Sequence, residues 1–483
     1  MNYAFLIDNR RCIGCHACSV ACKAEHEVPL GVARTWVKYV EKGEFPETRR
    51  TFTVTRCNHC DDAPCVEICP TTALFRRRDG IVDFDGGRCI GCKACIQGCP
   101  YDALYIDPAA ETAAKCNFCA HKIEVGLEPP CVTVCPTQAI VAGDLENPRA
   151  RIVEILGRHP TQVRKPEKGT RPKVFYVEAD TAALVPAAAP PPEAYMWAQS
   201  PAAAGLPPMP LTEEAGAPRR TYGVKEQHRN SWGFKVSAYL WTKSLAAGAF
   251  LVPALQSLLD PGRTALTAGH SLAAAFFLAL TGALLVWDLR QPGRFLWTLT
   301  RPQWRSWLTR GSYVLAAYGL LLGVHVLAGL GFLTWPLPAA LTVLTLLFAA
   351  ATAAYTAFLF GQAKGRDLWQ SPLLAPHLVV QAVLGGAALF APSWLLWLLP
   401  VNGLLVAAEV WGRHPTEDAA RAARLIQQDP RFTTGVLAAG HLLPLALLWS
   451  VATSSGTARL LALGGLLVWE HLYVQAPQRV PNA

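Results

Sequence analysis

Beyond residue 135 the chain contains no cysteine; all 16 fall in the first 135 of its 483 residues. Thiolate chemistry is thereby confined to the N-terminal part. Nothing near the start reads as a secretory signal, which argues against a secreted disulfide framework, and no twin-arginine motif opens the chain. Charge is the second scarcity. Residues 1–232 carry 28 Lys+Arg and 27 Asp+Glu, whereas the rest carries only 16 and 8. The formal charge of +9 therefore sits mostly in an apolar half. It reports membrane loops rather than a nucleic-acid-binding surface.

The cysteines form four quartets: Cys12/Cys15/Cys18/Cys22, Cys57/Cys60/Cys65/Cys69, Cys89/Cys92/Cys95/Cys99 and Cys116/Cys119/Cys131/Cys135. Two follow C-x2-C-x2-C-x3-C; the others stretch one gap, to C-x4-C and C-x11-C. In such runs three thiolates hold one cubane and the fourth reaches a second. Four quartets thus predict four 4Fe-4S clusters, a row suited to moving single electrons. Pro70, Pro100 and Pro136 follow three of the quartets, as in bacterial ferredoxins, and Lys23 follows the first. Zinc also uses C-x2-C pairs, but structural zinc sites close with distant pairs or histidines rather than tightly repeated triplets.

Hydropathy predicts about eight spans of roughly 20 residues, enough for a hydrocarbon core near 30 Å. They lie near 234–257, 266–287, 311–332, 338–360, 373–391, 394–411, 434–452 and 458–475. On that topology thirteen Lys/Arg fall on the face of the N-terminal domain, and only Arg263 and Arg459 fall opposite. The asymmetry predicts a multi-pass protein of the cell (inner) membrane with its cysteine domain facing the cytoplasm. Domain boundaries follow: residues 1–182 for the cysteine domain, 183–232 for an Ala/Pro-rich linker, and 233–483 for the membrane domain. Alternation predicts a hairpin from 35–41 and 51–56, and strands at 81–84, 104–107 and 174–177.

Specific text carries a family likeness. Arg11-Cys-Ile-Gly-Cys-His-Ala-Cys, Arg56-Cys-Asn-His-Cys-Asp-Asp-Ala-Pro-Cys, Arg88-Cys-Ile-Gly-Cys-Lys-Ala-Cys and Lys115-Cys-Asn-Phe-Cys resemble the four-cluster electron-transfer subunits of molybdopterin oxidoreductases. Dimethyl sulfoxide reductase, polysulfide reductase and formate dehydrogenase belong there. Leu245-Ala-Ala-Gly-Ala-Phe-Leu, Asp288-Leu-Arg-Gln-Pro-Gly-Arg-Phe and Ala354-Tyr-Thr-Ala-Phe-Leu look like the polysulfide reductase type of membrane anchor. The resemblance implies a double ferredoxin-like α+β domain followed by an all-α membrane bundle, normally separate chains and here fused. It also implies nested ligand sets: Cys12, Cys15, Cys18 with Cys135; Cys116, Cys119, Cys131 with Cys22; Cys57, Cys60, Cys65 with Cys99; and Cys89, Cys92, Cys95 with Cys69. Relatives often place Asn or His early in the first span, where this chain has Tyr239-Leu-Trp-Thr-Lys-Ser.

A membrane quinone, menaquinone or ubiquinone, is the partner that the resemblance implies. Quinone reduction needs hydrogen-bond donors and protons, and ionisable groups at membrane depth default to function. Lys243, Asp288, Tyr355 and Glu409 are the candidate quinone and proton residues, with Gln362, His377 and His441 nearby in the predicted topology. The competing structural readings pair Lys243 with Asp288 or Glu409, pair Asp288 with Arg290 or Arg294, and make Tyr355 an interfacial anchor. Glu470 and His471 read as the end of the last span. A heme held by two histidines is the less economical alternative. The expected role is an oxidoreductase subunit relaying electrons between a molybdopterin catalytic partner, which holds the substrate chemistry, and quinone. The rival is an ion-translocating membrane module of a hydrogenase or respiratory supercomplex.

Overall fold

A computed structural model describes residues 1–189, 217–222, 232–259, 266–333, 337–450 and 456–482. The chain divides into two units. One comprises Met1–Val66, Thr72–Arg229 and Pro481–Ala483; the other comprises Glu67–Thr71 and Asn230–Val480.

In the first unit, Tyr3–Asp8 is a buried strand at the heart of a four-stranded sheet. It pairs antiparallel with Ile140–Asp144 and parallel with Val174–Val177. Its apolar run (Ala4, Phe5, Leu6, Ile7) is almost fully buried, as expected of a strand covered on both faces. Ile152, on the helix Arg151–Arg158, packs with Ala4, Leu6 and Val141. The predicted hairpin forms from Thr35–Lys42 and Arg49–Arg56. The short strands Val82–Phe84 and Leu104–Ile106 bracket the third cysteine quartet, each in its own two-stranded hairpin.

Most of the expected linker, residues 190–216 and 223–231, lies outside the described residues. Within 183–232, Arg219–Tyr222 is not an extended spacer but a third strand on that hairpin, with Arg220 opposite Val40. The C-terminal end also belongs to this unit. Asn482 accepts from Arg164 Nη2 (2.6 Å) and donates its backbone N–H to Asp102 (3.0 Å).

The second unit is helical. Among the described residues, helices stand at all eight predicted places, but six are long and apolar enough to cross a membrane: Phe234–Leu259, Ala268–Asp288, Trp307–Gly329, Ala339–Gln362, Pro392–Trp411 and Phe432–Ser450. Leu374–Phe390 is apolar but has 17 residues, about 26 Å at helical rise. Gly456–Arg479 has 24 residues and carries Arg459, Glu470, His471 and Arg479.

Phe234–Leu259 is the hub, with 83% of its apolar window buried against 17% for Ala268–Asp288. Glycine makes its closest contact possible. A Cβ on Gly248 would stand 1.9 Å from the Ala382 carbonyl oxygen, and one on Gly386 would stand 2.1 Å from the Gly248 oxygen. Helix backbones approach this closely only where the side chain is absent. Phe276, Trp287, Leu320, Leu347, Trp397, Leu404 and Trp449 are exposed, an apolar surface suited to lipid. Within the same unit, Ser306 and Thr309 hydroxyls donate to the carbonyls of Ile68 and Pro70 (2.7 and 3.2 Å), on either side of Cys69.

Candidate functional site

Each quartet begins with one and the same turn. The third residue of the opening C-x2-C has a positive φ in all four: Gly14 (+71°), His59 (+42°), Gly91 (+68°) and Phe118 (+62°). That conformation aims a backbone N–H back at the first thiol. His59 N–H donates to Cys57 Sγ (3.5 Å) and Gly91 N–H to Cys89 Sγ (3.4 Å). The amides of Gly14 and Phe118 do the same for Cys12 and Cys116.

Glycine is the ordinary occupant of a left-handed position, and a Cβ at Gly14 would stand 2.5 Å from the Phe52 ring. His59 and Phe118 hold theirs because their side chains are locked in the core. The two rings meet edge-on at 5.3 Å, Phe118 stacks on Phe5 at 4.0 Å, and His59 Nδ1 accepts from Val82 N–H.

The thiols also gather across quartets. Cys12 lies in the field of Cys15 and Cys135. Cys22 has Cys116 and Cys131 as electrostatic neighbours, and Cys119 has Cys116, Cys131 and Cys22. Cys65 is surrounded by Cys99, Cys57 and Cys60. Cys22 and Cys99, each the fourth cysteine of its quartet, thus join three thiols of another, and Cys135 joins two of the first. For the remaining set, Cys89 receives amides from Gly91 and Ala113, and Cys69 belongs to the second unit.

Burial pushes Cys18 up to about 11, and Cys22 and Cys99 up to about 12, with neighbouring thiols adding to the rise. Cys135 moves down, because amides of Ile140, Ala139 and Thr137 and the Thr137 hydroxyl outweigh its burial. Thiols that burial and mutual repulsion keep protonated, yet that receive N–H donors, suit a cationic metal core that displaces the protons. Among the described residues no three His, Cys, Asp or Glu side chains are as close-set as ligands of a single metal ion. A cubane spreads four thiolates over four irons, so the donor set fits iron–sulfur clusters better than zinc.

The second unit buries two separate polar clusters. In the first, Lys243 is fully buried and its Nζ donates to Ala353 O (2.9 Å) and Thr356 Oγ1 (2.7 Å). It lies 5.1 Å from the centre of the Tyr355 ring. Its carboxylate neighbour is Glu470, which accepts from Ser244 Oγ (3.3 Å) while its other oxygen has no hydrogen bond. Tyr239 lies in the field of Tyr355, Asp288 and Glu470.

In the second cluster, His377 Nδ1 stands 3.1 Å from Glu409 Oε2, both side chains being fully buried. The approach is off the hydrogen-bond direction, and neither Glu409 oxygen accepts a hydrogen bond. His377 Nε2 meets Asn402 Oδ1 (3.2 Å) and Gln381 Nε2 (3.1 Å), and Asn402 Nδ2 reaches His441 Nε2 (2.9 Å). His441 sits in the π-helix Phe432–Leu442, its Nδ1 bound to Val436 O (2.8 Å). Wide helical turns of this kind mark functional positions. With Asn402 between them, the two imidazoles form a polar network rather than a pair of free heme ligands.

Comparison with known proteins agrees with this division. The family model for the 4Fe-4S dicluster domain matches residues 48–145, and that for polysulphide reductase, NrfD, matches residues 223–402. A tetrathionate reductase subunit of Salmonella typhimurium is 46% identical over 188 residues, covering 38% of this chain and 75% of that protein. A polysulfide reductase polypeptide of Wolinella succinogenes is 42% identical over 180 residues, 36% of this chain and 93% of that one. The arsenate respiratory reductase iron–sulfur subunit of a Shewanella species is 32% identical over 227 residues, 37% of this chain and 97% of that protein. This protein belongs to the family of reductase iron–sulfur subunits. Unlike the matched stretch of those relatives, which covers little more than a third of it, this family member continues into an NrfD-type membrane region. It is therefore an iron–sulfur, membrane-associated electron-transfer protein.

Of the four candidate membrane residues, the structure brings Lys243 and Tyr355 together, leaves Asp288 acting only through its field on Tyr239, and places Glu409 in the other cluster. Sequence reasoning took Glu470 for the end of the last span; it is 3% exposed and is the acidic group whose field acts on Lys243, in place of Asp288 or Glu409. Its position on the hub-facing side of Gly456–Arg479 was not legible from hydropathy. Arg56, 1% exposed with Nη1 donating to Cys131 Sγ at 3.3 Å, was read only as part of a motif.

Proposed function

We propose that this chain is the fused electron-transfer and membrane-anchor subunit of a molybdopterin-type oxidoreductase complex, exchanging electrons between a catalytic partner and the membrane quinone pool. Residues 1–182 form the double ferredoxin-like domain, 183–232 a linker that lends it the strand Arg219–Tyr222, and 233–483 an eight-span anchor, with the iron–sulfur domain on the cytoplasmic side. The sixteen cysteines hold four 4Fe-4S clusters in the nested sets given above. When bound, such clusters carry single electrons. The amides of Gly14, His59, Gly91 and Phe118 orient and electrostatically favour the thiolates. Ser306 and Thr309 fix the backbone on either side of Cys69.

The observation that carries the quinone assignment is Lys243: a fully buried amine beside Tyr355 and Glu470, in a chain that repeats one thiolate turn four times. Reducing a quinone to its quinol takes two electrons and two protons. Lys243 and Tyr355 offer hydrogen-bond donors to the carbonyls, and Glu470 and Asp288 hold protons behind them. The relatives support a catalytic partner, since each is by name one part of a reductase. Molybdenum and iron analysis of the complex isolated from membranes tests the reading. It predicts about sixteen irons per chain, from four cubanes, and a stoichiometric molybdenum protein. About eight irons, or a molybdenum-free complex, contradicts it.

The His377–Glu409 pair favours a second reading, in which the anchor also moves protons across the membrane. This network stands apart from Lys243 and has no part in holding quinone. Glu409→Gln would then lower proton release into vesicles while leaving quinone reduction unchanged. Equal losses in both would remove this reading.

A further inference from the structure

One basic residue stands immediately before each cysteine quartet: Arg11, Arg56, Arg88 and Lys115. Three of them have ordinary surroundings. Arg11 is exposed. Arg88 is exposed and pairs with Asp85 at 3.1 Å. Lys115 is buried, and its Nζ donates to the carbonyls of Cys116 (2.8 Å) and Val82.

Arg56 differs from Arg11 and Arg88 in being buried, 1% exposed, and from Lys115 in where its donors go. Its guanidinium lies 4.2 Å above the Phe5 ring. Nη1 donates to Cys131 Sγ, while Nε and Nη2 are buried without a hydrogen-bond partner. The ionisable groups that act on it most strongly are the thiols of Cys131, Cys116 and Cys18. These belong to two different ligand sets, that of the first quartet and that of the fourth.

A guanidinium remains charged at any accessible pH. Buried in a folded protein, it needs an anion and partners for its N–H groups. The thiol grouping around Arg56 supplies one acceptor, and two donor nitrogens are left over. Cluster sulfurs are hydrogen-bond acceptors whose negative charge grows by one on reduction, and hydrogen bonds to them are a recognised lever on potential.

We infer that Arg56 is shared by the two clusters held through Cys18 and through Cys116 and Cys131, and that its fixed charge and free N–H groups raise the reduction potentials of those two selectively. The inference rests on the four-cluster reading and adds an internal division to it. The pair built from the first and fourth quartets retains electrons more strongly than its ligands alone would allow. The pair built from the second and third quartets has Lys115 in the field of Cys65 instead, with its N–H donors spent on backbone carbonyls rather than on sulfur. Arg56 is a positioning and potential-setting residue, and it takes no part in substrate chemistry.

The test is a redox titration of the full-length protein followed by electron paramagnetic resonance, with iron counted in each sample. In Arg56→Gln, two of the four cluster signals should shift to lower potential by at least tenfold in their reduction equilibrium, which is about 59 mV for one electron. The other two should move by less than a third of that. Arg56→Lys keeps the charge without the fork and should shift the same two signals less. Wild-type protein carrying 15N-arginine should show nitrogen coupling to those reduced clusters in pulsed spectra, a readout that does not depend on any variant loading iron. A uniform shift of all four signals, no shift, or no arginine coupling overturns the inference and leaves the four-cluster reading standing. Wild-type iron near eight per chain overturns both.

Discussion

The two units place their chemistry by opposite means. In the first, the groups that matter are written within a few residues of one another: His59 donates to Cys57 two positions away, and Gly91 to Cys89 likewise. One left-handed residue decides where the N–H points, so the same turn recurs wherever the spacing recurs. In the second, Lys243 finds Thr356 at a separation of 113 residues, and Ser244 finds Glu470 at 226. Those partners exist only after helices pack, and the packing depends on glycine pairs such as Gly248 and Gly386. Loss of one thiol should therefore remove a cofactor, whereas loss of one membrane charge should weaken a step.

The comparison can be broken most decisively with a cysteine. Cys131→Ala should lower bound iron from about sixteen to about twelve or fewer, measured by iron analysis on protein purified without oxygen. Retention of all sixteen would show that the inferred ligand sets are wrong. Glu470→Gln, by contrast, should leave iron unchanged.

Next in size is the helix crossing. Gly248→Leu must push a side chain into the Ala382 carbonyl, and should cost the membrane unit about 3 kcal/mol or more, read as thermal unfolding in detergent. A smaller effect would mean that the hub helix can slide.

Lys243→Met should slow quinone reduction at least about tenfold, near 1.4 kcal/mol of barrier, with cluster signals intact. Adding Glu470→Gln to it should cost less than the two single changes combined, by about 1 kcal/mol, because the lone substitution strands a buried carboxylate. Strict additivity would separate the two residues.

The smallest effect belongs to a turn away from any cysteine contact. At Gly126, φ is +76° and a Cβ would meet nothing within 4 Å, so Gly126→Ala should cost only about 1 kcal/mol through backbone strain.

The cysteine quartets, the hairpin at Thr35–Lys42 and Arg49–Arg56, and the places of eight helices were legible because each rests on local spacing or local hydropathy. The turn shared by four quartets was half legible. Gly14 and Gly91 announce a left-handed residue, but His59 and Phe118 do so only once their rings are seen to pack on each other and on Phe5. The strand Tyr3–Asp8 was missed, since a short apolar run without alternation carries no period. Glu470 was misread as a span end. Its burial follows from where Gly456–Arg479 lies against Phe234–Leu259, and no single-helix pattern contains that.

The central claim is that thiolate-held clusters discharge into a carrier dissolved in lipid. Full-length protein carrying about sixteen irons, reconstituted in liposomes, reduced without oxygen and mixed with a menaquinone analogue, tests it directly through cluster absorbance. The account predicts reoxidation with one quinol formed per two electrons, slowed in Lys243→Met. Clusters that stay reduced in the fully loaded wild-type protein would contradict it.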